Sequence, residues 1–345
     1  MAENRQRCTD GAERMVETIA REGDDVPHQR RPFRFGVLGE GIRSGGQLVA
    51  GARRAEDLGF STLLLRDHFV SEPFGAQLAP LVALMSAAEA TQTLRIGTLV
   101  LDNDYRHPVM LAKEVATLDV LSGGRFELGI GAGWHRGEYA QAGMRFDAPS
   151  VRVERLEESL QLLKCLFAGT PCTFSGNHYS TAGLESFPEP AQRPHPPILL
   201  GAGSRRMLGI AGRSADIVGI LPKALPDGTI SDDLSERSPE TTARKVEWVR
   251  RAAGDRFAEV ELSMMISVRI ADDHTNAAER WATELGWGPA AGEFLLEMPS
   301  RFVGSVDRIA EQMHARRERF GFSYLVVSDR DMEAFGPVVP ILSGN

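Results

Sequence analysis

The tripeptide Asp67-His68-Phe69 follows the apolar run Leu63-Leu64-Leu65 after a single arginine. Packing alone has little use for an adjacent acid and imidazole there. Proton exchange does, since histidine is the side chain best suited to it near neutral pH. The plainer alternative is that Asp67 caps a turn while His68 satisfies a backbone carbonyl. Three further stretches carry comparable chemistry. Gly129, Gly131 and Gly133 alternate ahead of Trp134-His135, with Glu138 one helical turn on. Such glycines let backbone pass close to a ligand, and an indole can stack on or wall a planar ring. Gly201-Ala202-Gly203-Ser204 runs into Arg205-Arg206 where a helix starts. Free N–H groups, a hydroxyl and two cations there assemble an anion site suited to phosphate. Asp102 to His107, ahead of Pro108, is a charged loop that either solvates a helix start or touches a ligand. Lys223 offers a cation to an anionic substrate or cofactor tail.

Other chemistries are disfavoured. The histidines (28, 68, 107, 135, 178, 195, 274 and 314) include no H-x-H pair, and no H-E-x-x-H or C-x-x-C occurs, so no metal is expected. A Gly-x-Ser-x-Gly elbow is missing. The glycine triplet departs from the dinucleotide pattern G-x-G-x-x-G, its third glycine falling one place early.

The elements that must position these residues recur with a steady rhythm. Short, apolar, β-rich runs at 33–38, 61–66, 95–101 and 126–133 begin roughly thirty residues apart, the length of one strand–helix–strand unit. Helical patterns lie between them, at 48–59, at 78–91 and from Pro108 to Gly123-Gly124. Residues 150–168 form a further helix, with Ser150 expected as its cap and Val153, Leu156, Leu160, Leu163 and Phe167 on one face. Runs at 197–203, 215–221, 260–270 and 322–328 supply strands five to eight, with helices at 239–253 and 305–320. Two excursions interrupt the rhythm. One, 171–197, holds a small hairpin and six of the nineteen prolines; the other, 272–300, is helical with turns. Eight runs without polar alternation, nearly all followed by helices, predict a closed (β/α)8 TIM barrel with insertions at its C-terminal face. Strand four then has no second βαβ half after it, so the Rossmann reading fails on context. The catalytic rim should be the C-terminal ends of the strands, where every stretch above falls.

Composition narrows the partners. The chain of 345 residues is 42% hydrophobic and 25% charged, with a formal net charge of −8. That charge speaks against nucleic-acid or anionic-membrane partners, and no apolar run is long enough to span a bilayer. Residues 1–32 read as a polar extension without a signal-peptide core, and 33–345 as the barrel. Three cysteines (8, 165 and 172) suit a reduced cytoplasm, which disfavours a Cys165–Cys172 bridge. The excursions and the polar loop 223–238 should shape the mouth. They contain few aromatics and no arginine cluster, which favours a neutral organic substrate over a multiply phosphorylated one.

Asp67-His68-Phe69, the run from Arg106-His107-Pro108 through Leu118 to Arg125, the run 129–134, Gly201 to Ser204 and Ala215-Asp216 together resemble the bacterial luciferase-like superfamily of barrel oxidoreductases. The resemblance spans about residues 33–328 and is to the branch using coenzyme F420, an 8-hydroxy-5-deazaflavin with a phosphate and an oligoglutamate tail. It implies hydride transfer between F420 and a small organic substrate, with Asp67 and His68 beside the ring. A bulge with a non-prolyl cis peptide between Leu99 and Val100 would back the ring. Loops matching Ala132-Gly133-Trp134 and Gly201-Ala202-Gly203-Ser204 would hold the phosphate. His68, Asp67, Trp134 and Glu138 are then the expected catalytic groups, and Phe69, Arg106, His107 and Lys223 the expected substrate contacts. Trp134 stands where the sugar-phosphate dehydrogenases of that branch carry an acidic proton donor. This argues against sugar-phosphate oxidation and leaves His68 or the substrate itself to move the proton. Two rivals share the motifs: an FMN-dependent monooxygenase using O2, and a non-catalytic flavin-binding partner protein. A homodimer is compatible with the family.

Overall fold

The structure, a computed structural model, describes residues 31–345. The extension expected at 1–32 therefore lies outside the described residues, apart from its last two positions. Arg31 donates to the carbonyls of Ala258 and Glu259. Among the described residues no helix is long and apolar enough to cross a membrane.

The strands in chain order are β1 (Arg34–Leu38), β2 (Thr62–Leu65), β3 (Arg95–Thr98), β4 (Leu101–Asp102), β5 (Phe126–Gly131), β6 (Cys172–Ser175), β7 (Ser180–Leu184), β8 (Ile198–Ala202), β9 (Ile217–Ile220), β10 (Glu261–Met265), β11 (Ser267–Ile270), β12 (Arg301–Gly304) and β13 (Phe322–Ser328). Eight of them pair in parallel in the order β3-β2-β1-β13-β10-β9-β8-β5, and β5 pairs back to β3 through Ile96–Phe126 and Gly97–Glu127. This is the eight-stranded parallel barrel the sequence predicts. The helices pack outside it on one continuous apolar layer that includes Phe35, Leu63, Ile96, Leu128 and Leu200 from the strands.

The expected bulge is present. The Leu99–Val100 peptide is cis, and the chain resumes as β4, which pairs Leu101 with Ile130 and Asp102 with Gly131. The alternating glycines make room for it. A Cβ on Gly129 would lie 1.9 Å from the Thr98 carbonyl oxygen, and one on Gly131 would lie 3.0 Å from a Val100 methyl. The Thr98 hydroxyl bonds both the N–H and the carbonyl of Gly129, at 3.0 and 2.7 Å. Gly129 thus admits the protein's own backbone and Gly131 a neighbouring side chain, where the sequence suggested close approach to a ligand.

The barrel is plugged. At its amino-terminal end Arg34 grips Glu261 through two nitrogens, reaches Glu127 at 2.6 Å and lies 3.5 Å over the Tyr324 ring. Arg95 also meets Glu127 at 2.6 Å. Burial alone would raise the Glu127 carboxyl, but the two arginines hold it below its ordinary value. Leu38, Leu64, Leu199, Ile217 and Val326 fill the interior with Tyr324, and Leu99, Val100 and Met265 pack partly buried against them. A ligand at the mouth would rest on this plug.

Several expectations change. The run 260–270 divides: β10 stays in the barrel, Ile266 donates to the Val326 carbonyl, and β11 leaves to pair with β12. That last strand was not foreseen. With the helices His274–Glu284 and Gly292–Glu297 it builds a small subdomain around Ala278, Trp281, Ala282, Leu295 and Val303. The helix after 148 begins at Pro149, with Ala148 in the cap position and no side-chain cap bond, so Ser150 is not its cap. Cys165 and Cys172 are joined as a disulfide, contrary to the expectation of free thiols. Cys165 lies in the last turn of that helix and Cys172 opens β6, and the chain reversal between them brings their Cα atoms to 5.6 Å. The hairpin β6–β7 follows the same helix, where Glu158 accepts from the N–H groups of Asn177, His178 and Tyr179 in its turn. Through that turn, Tyr179 reaches Asn103 in the loop after β4.

Gly129→Ala should therefore destabilise the chain by roughly 2–3 kcal/mol in urea denaturation, because backbone lies where the methyl must go. A Cβ on Gly45, at a helix start, meets nothing within 4 Å. Gly45→Ala should change stability by less than about 1 kcal/mol. Equal effects of the two substitutions would contradict this account of the bulge.

Candidate active site

The strand registers bring the three singled-out tips to one rim. β5 pairs with β8, so Gly131 and Gly201 leave the barrel side by side. On the other flank of β5, Asp102 pairs with Gly131, and its N–H donates to Asp67 at 3.3 Å.

Asp67 is buried and turned to Arg106, whose two terminal nitrogens approach its carboxylate at 2.5 and 3.1 Å. The expected substrate contact Arg106 thus anchors the expected catalytic Asp67. His68, the other expected catalytic group, is turned to a different acid. Its Nδ1 lies 2.9 Å from a Glu138 oxygen. Glu138 is buried and also accepts from the N–H groups of Phe69 and Val70. Burial alone would raise its pKa, but the bonds from His68 and Phe69 outweigh that and hold it below the usual carboxylate range. An ionised Glu138 can only accept, so Nδ1 donates in this bond and Nε2 is left on the far side of the ring. Nε2 makes no hydrogen bond among the described residues.

Aromatic rings wall this imidazole. The Trp134 ring meets it edge-on at 6.2 Å, and Phe74, from the loop after β2, lies at 5.2 Å. Phe69 is 58% exposed and stacks on Tyr105 at 4.4 Å. Gly133 adopts φ +72°, and a Cβ there would strike the Tyr139 hydroxyl and Asp102 at 2.2 and 2.4 Å. Gly203 backs on the Pro222 carbonyl, 2.3 Å from where a Cβ would sit. Ser204 caps the helix Arg205–Ser214 by accepting from the Met207 N–H. Ala202 is buried opposite Ile220.

Two expected substrate contacts are placed differently from the rest. His107 caps the helix Pro108–Leu121, accepting from the Val109 N–H, and its ring meets Tyr179 of the hairpin. Lys223 is exposed, and its backbone N–H is tied to Glu236. The excursions and the loop 223–238 hold no arginine cluster in sequence, but arginines in and beside them gather in space. Arg269 and Arg301 lie 4.9 and 4.8 Å from the Trp281 ring centre, and Arg237 and Asp331 are near enough to influence Arg301. Arg301 Nε is buried without a hydrogen-bond partner. These arginines come from three separate stretches, so no local pattern announces them. Tyr105, Tyr139, Phe74 and Arg152 were also missed, since an aromatic or arginine in a loop or helix start has many ordinary uses. Glu154, Glu158 and His178 cluster closely enough to suggest a metal, but the Glu158 oxygens are engaged by the hairpin turn.

Asp102 sits beneath Gly133, accepting from the Tyr139 hydroxyl at 2.7 and 2.8 Å and from the Asp104 N–H. Desolvation, aided by the charges of Asp104 and Asp67, pushes it up to about 7 despite these bonds. A carboxyl raised in the folded state contributes stability that is whole below the unfolded value and lost as pH rises through the folded one. The melting temperature should thus fall between about pH 4 and 7 more steeply in the wild type than in Asp102→Asn. Parallel profiles would contradict the placement of this carboxyl.

Comparison with known proteins agrees with this architecture. The model of the luciferase-like monooxygenase family matches residues 32–324. The chain is 27% identical over 298 residues to the F420-dependent glucose-6-phosphate dehydrogenase of Amycolatopsis mediterranei (strain U-32), covering 86% of this chain and 84% of that protein. Among solved structures, the coenzyme F420-dependent tetrahydromethanopterin reductase from Methanopyrus kandleri superposes with a TM-score of 0.70 at 18% identity, covering 91% of this chain and all of the other. Monooxygenase RslO1 from Streptomyces bottropensis gives 0.69 at 22% identity, covering 89% of this chain and 99% of that one. At those identities the two structures speak for the fold. The chain belongs to the luciferase-like monooxygenase family and is an oxidoreductase of that family.

Proposed function

We propose that this chain transfers a hydride between coenzyme F420 and a small organic substrate. The observation that carries the reading is the His68–Glu138 pair, set on the same rim as the Leu99–Val100 bulge and the Trp134 wall. The curated relative above, named for F420 and matched over most of both chains, supports the choice of cofactor.

The residues present fit such a group. Leu99 and Val100 offer an apolar floor half-buried on the barrel plug, broad enough to back a planar ring. Trp134 and Phe74 close the side, and the N–H groups around Gly133 and Ser204 suit a phosphate. When bound, the deazaflavin supplies a carbon centre that accepts or gives a hydride and reacts poorly with oxygen. The protein's own part is orientation and proton management. Oxidising an organic C–H/O–H pair releases a hydride and a proton, and His68 Nε2 is the atom placed to take that proton. Glu138 fixes the imidazole tautomer and offsets the charge that His68 then gains. The aromatic wall keeps bulk water from the reacting face.

Purified protein titrated with F420 should show saturable quenching of deazaflavin fluorescence, and tighter binding of F420 than of FMN. Tight FMN binding with O2 consumption, and no response to F420, would contradict the reading. His68→Ala should bind the cofactor normally yet lose about 10²–10⁴-fold in turnover. Full turnover in that variant would contradict the proton-transfer role of His68. Glu138→Gln should lower kcat about tenfold or more while leaving cofactor affinity within about twofold.

A further inference from the structure

Arg152 is buried in the first turn of the helix Pro149–Phe167. A cation there faces the positive end of the helix dipole, an unfavourable place for it. Its partners explain the position. Nε donates to the Ala132 carbonyl at 3.2 Å, one terminal nitrogen reaches the Gly133 carbonyl at 3.5 Å, and the other the Asp147 carbonyl at 2.6 Å. The guanidinium lies 3.8 Å over the Phe146 ring.

In a trans peptide the carbonyl and the following N–H point in opposite directions. Drawing the carbonyls of Ala132 and Gly133 onto Arg152 therefore turns the N–H groups of Gly133 and Trp134 the other way. Neither N–H has a hydrogen-bond acceptor among the described residues. Gly133, at φ +72°, gives the pair the left-handed step of an anion-binding nest. The pairing of β5 with β8 sets this nest beside the Gly203-Ser204 start of the ten-residue helix Arg205–Ser214.

We infer that Arg152 is a positioning residue that holds the Gly133-Trp134 amides toward the cofactor's phosphate without touching it. This rests on the cofactor reading above. Arg152 adds a second effect: a buried cation behind the two carbonyls polarises the same peptide groups and strengthens their N–H donors.

The test compares F420 with 8-hydroxy-5-deazariboflavin, the same ring without the phosphate and the tail that the phosphate carries, by fluorescence titration of the full chain. Arg152→Met should weaken F420 binding about tenfold or more while leaving the phosphate-free ring within about twofold. Arg152→Lys, which keeps the charge but cannot fork between carbonyls, should give an intermediate loss, and it carries the test alone if the Met variant does not fold. Equal loss for both compounds would mark Arg152 as merely structural and overturn the inference, as would no loss for either. Wild-type protein that binds neither compound would contradict the F420 reading. FMN against riboflavin then decides the role of Arg152 by the same ratio, and binding of none of the four would overturn both.

Discussion

Closure of the barrel between β3 and β5 is the constraint from which the rim takes its shape. β3 must join β5 while its end folds into a bulge. Only a strand without side chains at two alternate positions can accept that bulge, and Gly129 and Gly131 provide it. The Thr98 hydroxyl bonds Gly129 beside the bulge, and β4 then restores register far enough to bring Asp102 beside Gly131. That short return carries Asp102 and Arg106 to the mouth, where Arg106 and the Asp102 N–H hold Asp67 and the Asp102 carboxylate backs Gly133.

The interior is built in layers of decreasing polarity toward the site. Arg34, Arg95, Glu127 and Glu261 neutralise one another at the amino-terminal end, aliphatic side chains occupy the middle, and Leu99, Val100 and Met265 close the top. The buried ions would be costly unpaired, so their mutual geometry fixes strand positions that the non-directional apolar packing leaves loose. Polar groups return at the rim, but paired: Asp67 with Arg106, Glu40 with Arg66, His68 with Glu138. Among these, the imidazole keeps a nitrogen uncommitted, the ground on which we propose proton exchange by His68.

Much of this was legible in the sequence because the barrel strands are buried on both faces and read as uninterrupted apolar runs. Glycines and prolines marked the turns, and the bulge at Leu99–Val100 followed from the family resemblance. What escaped has physical reasons. The apolar run 260–270 looks continuous, since periodicity does not register a strand that changes partners at Ile266. β12 is four residues long and takes its strand character from pairing with β11. The pairing of His68 with Glu138 spans seventy positions, so the sequence names both groups but not their contact. Arg152 carries no local signal, because its significance lies in carbonyls that the sequence does not describe. The disulfide depended on a chain reversal, where the sequence offered only a count of cysteines.

The proposed reaction needs one surface to receive the ring of the cofactor. A crystal structure of the chain grown with F420 tests this most directly. Ring density lying on Leu99 and Val100 with Trp134 at its edge, and the phosphate against the Gly133-Trp134 and Gly203-Ser204 amides, is the predicted result. A ring found away from that bulge, or a phosphate bound elsewhere on the chain, would contradict it.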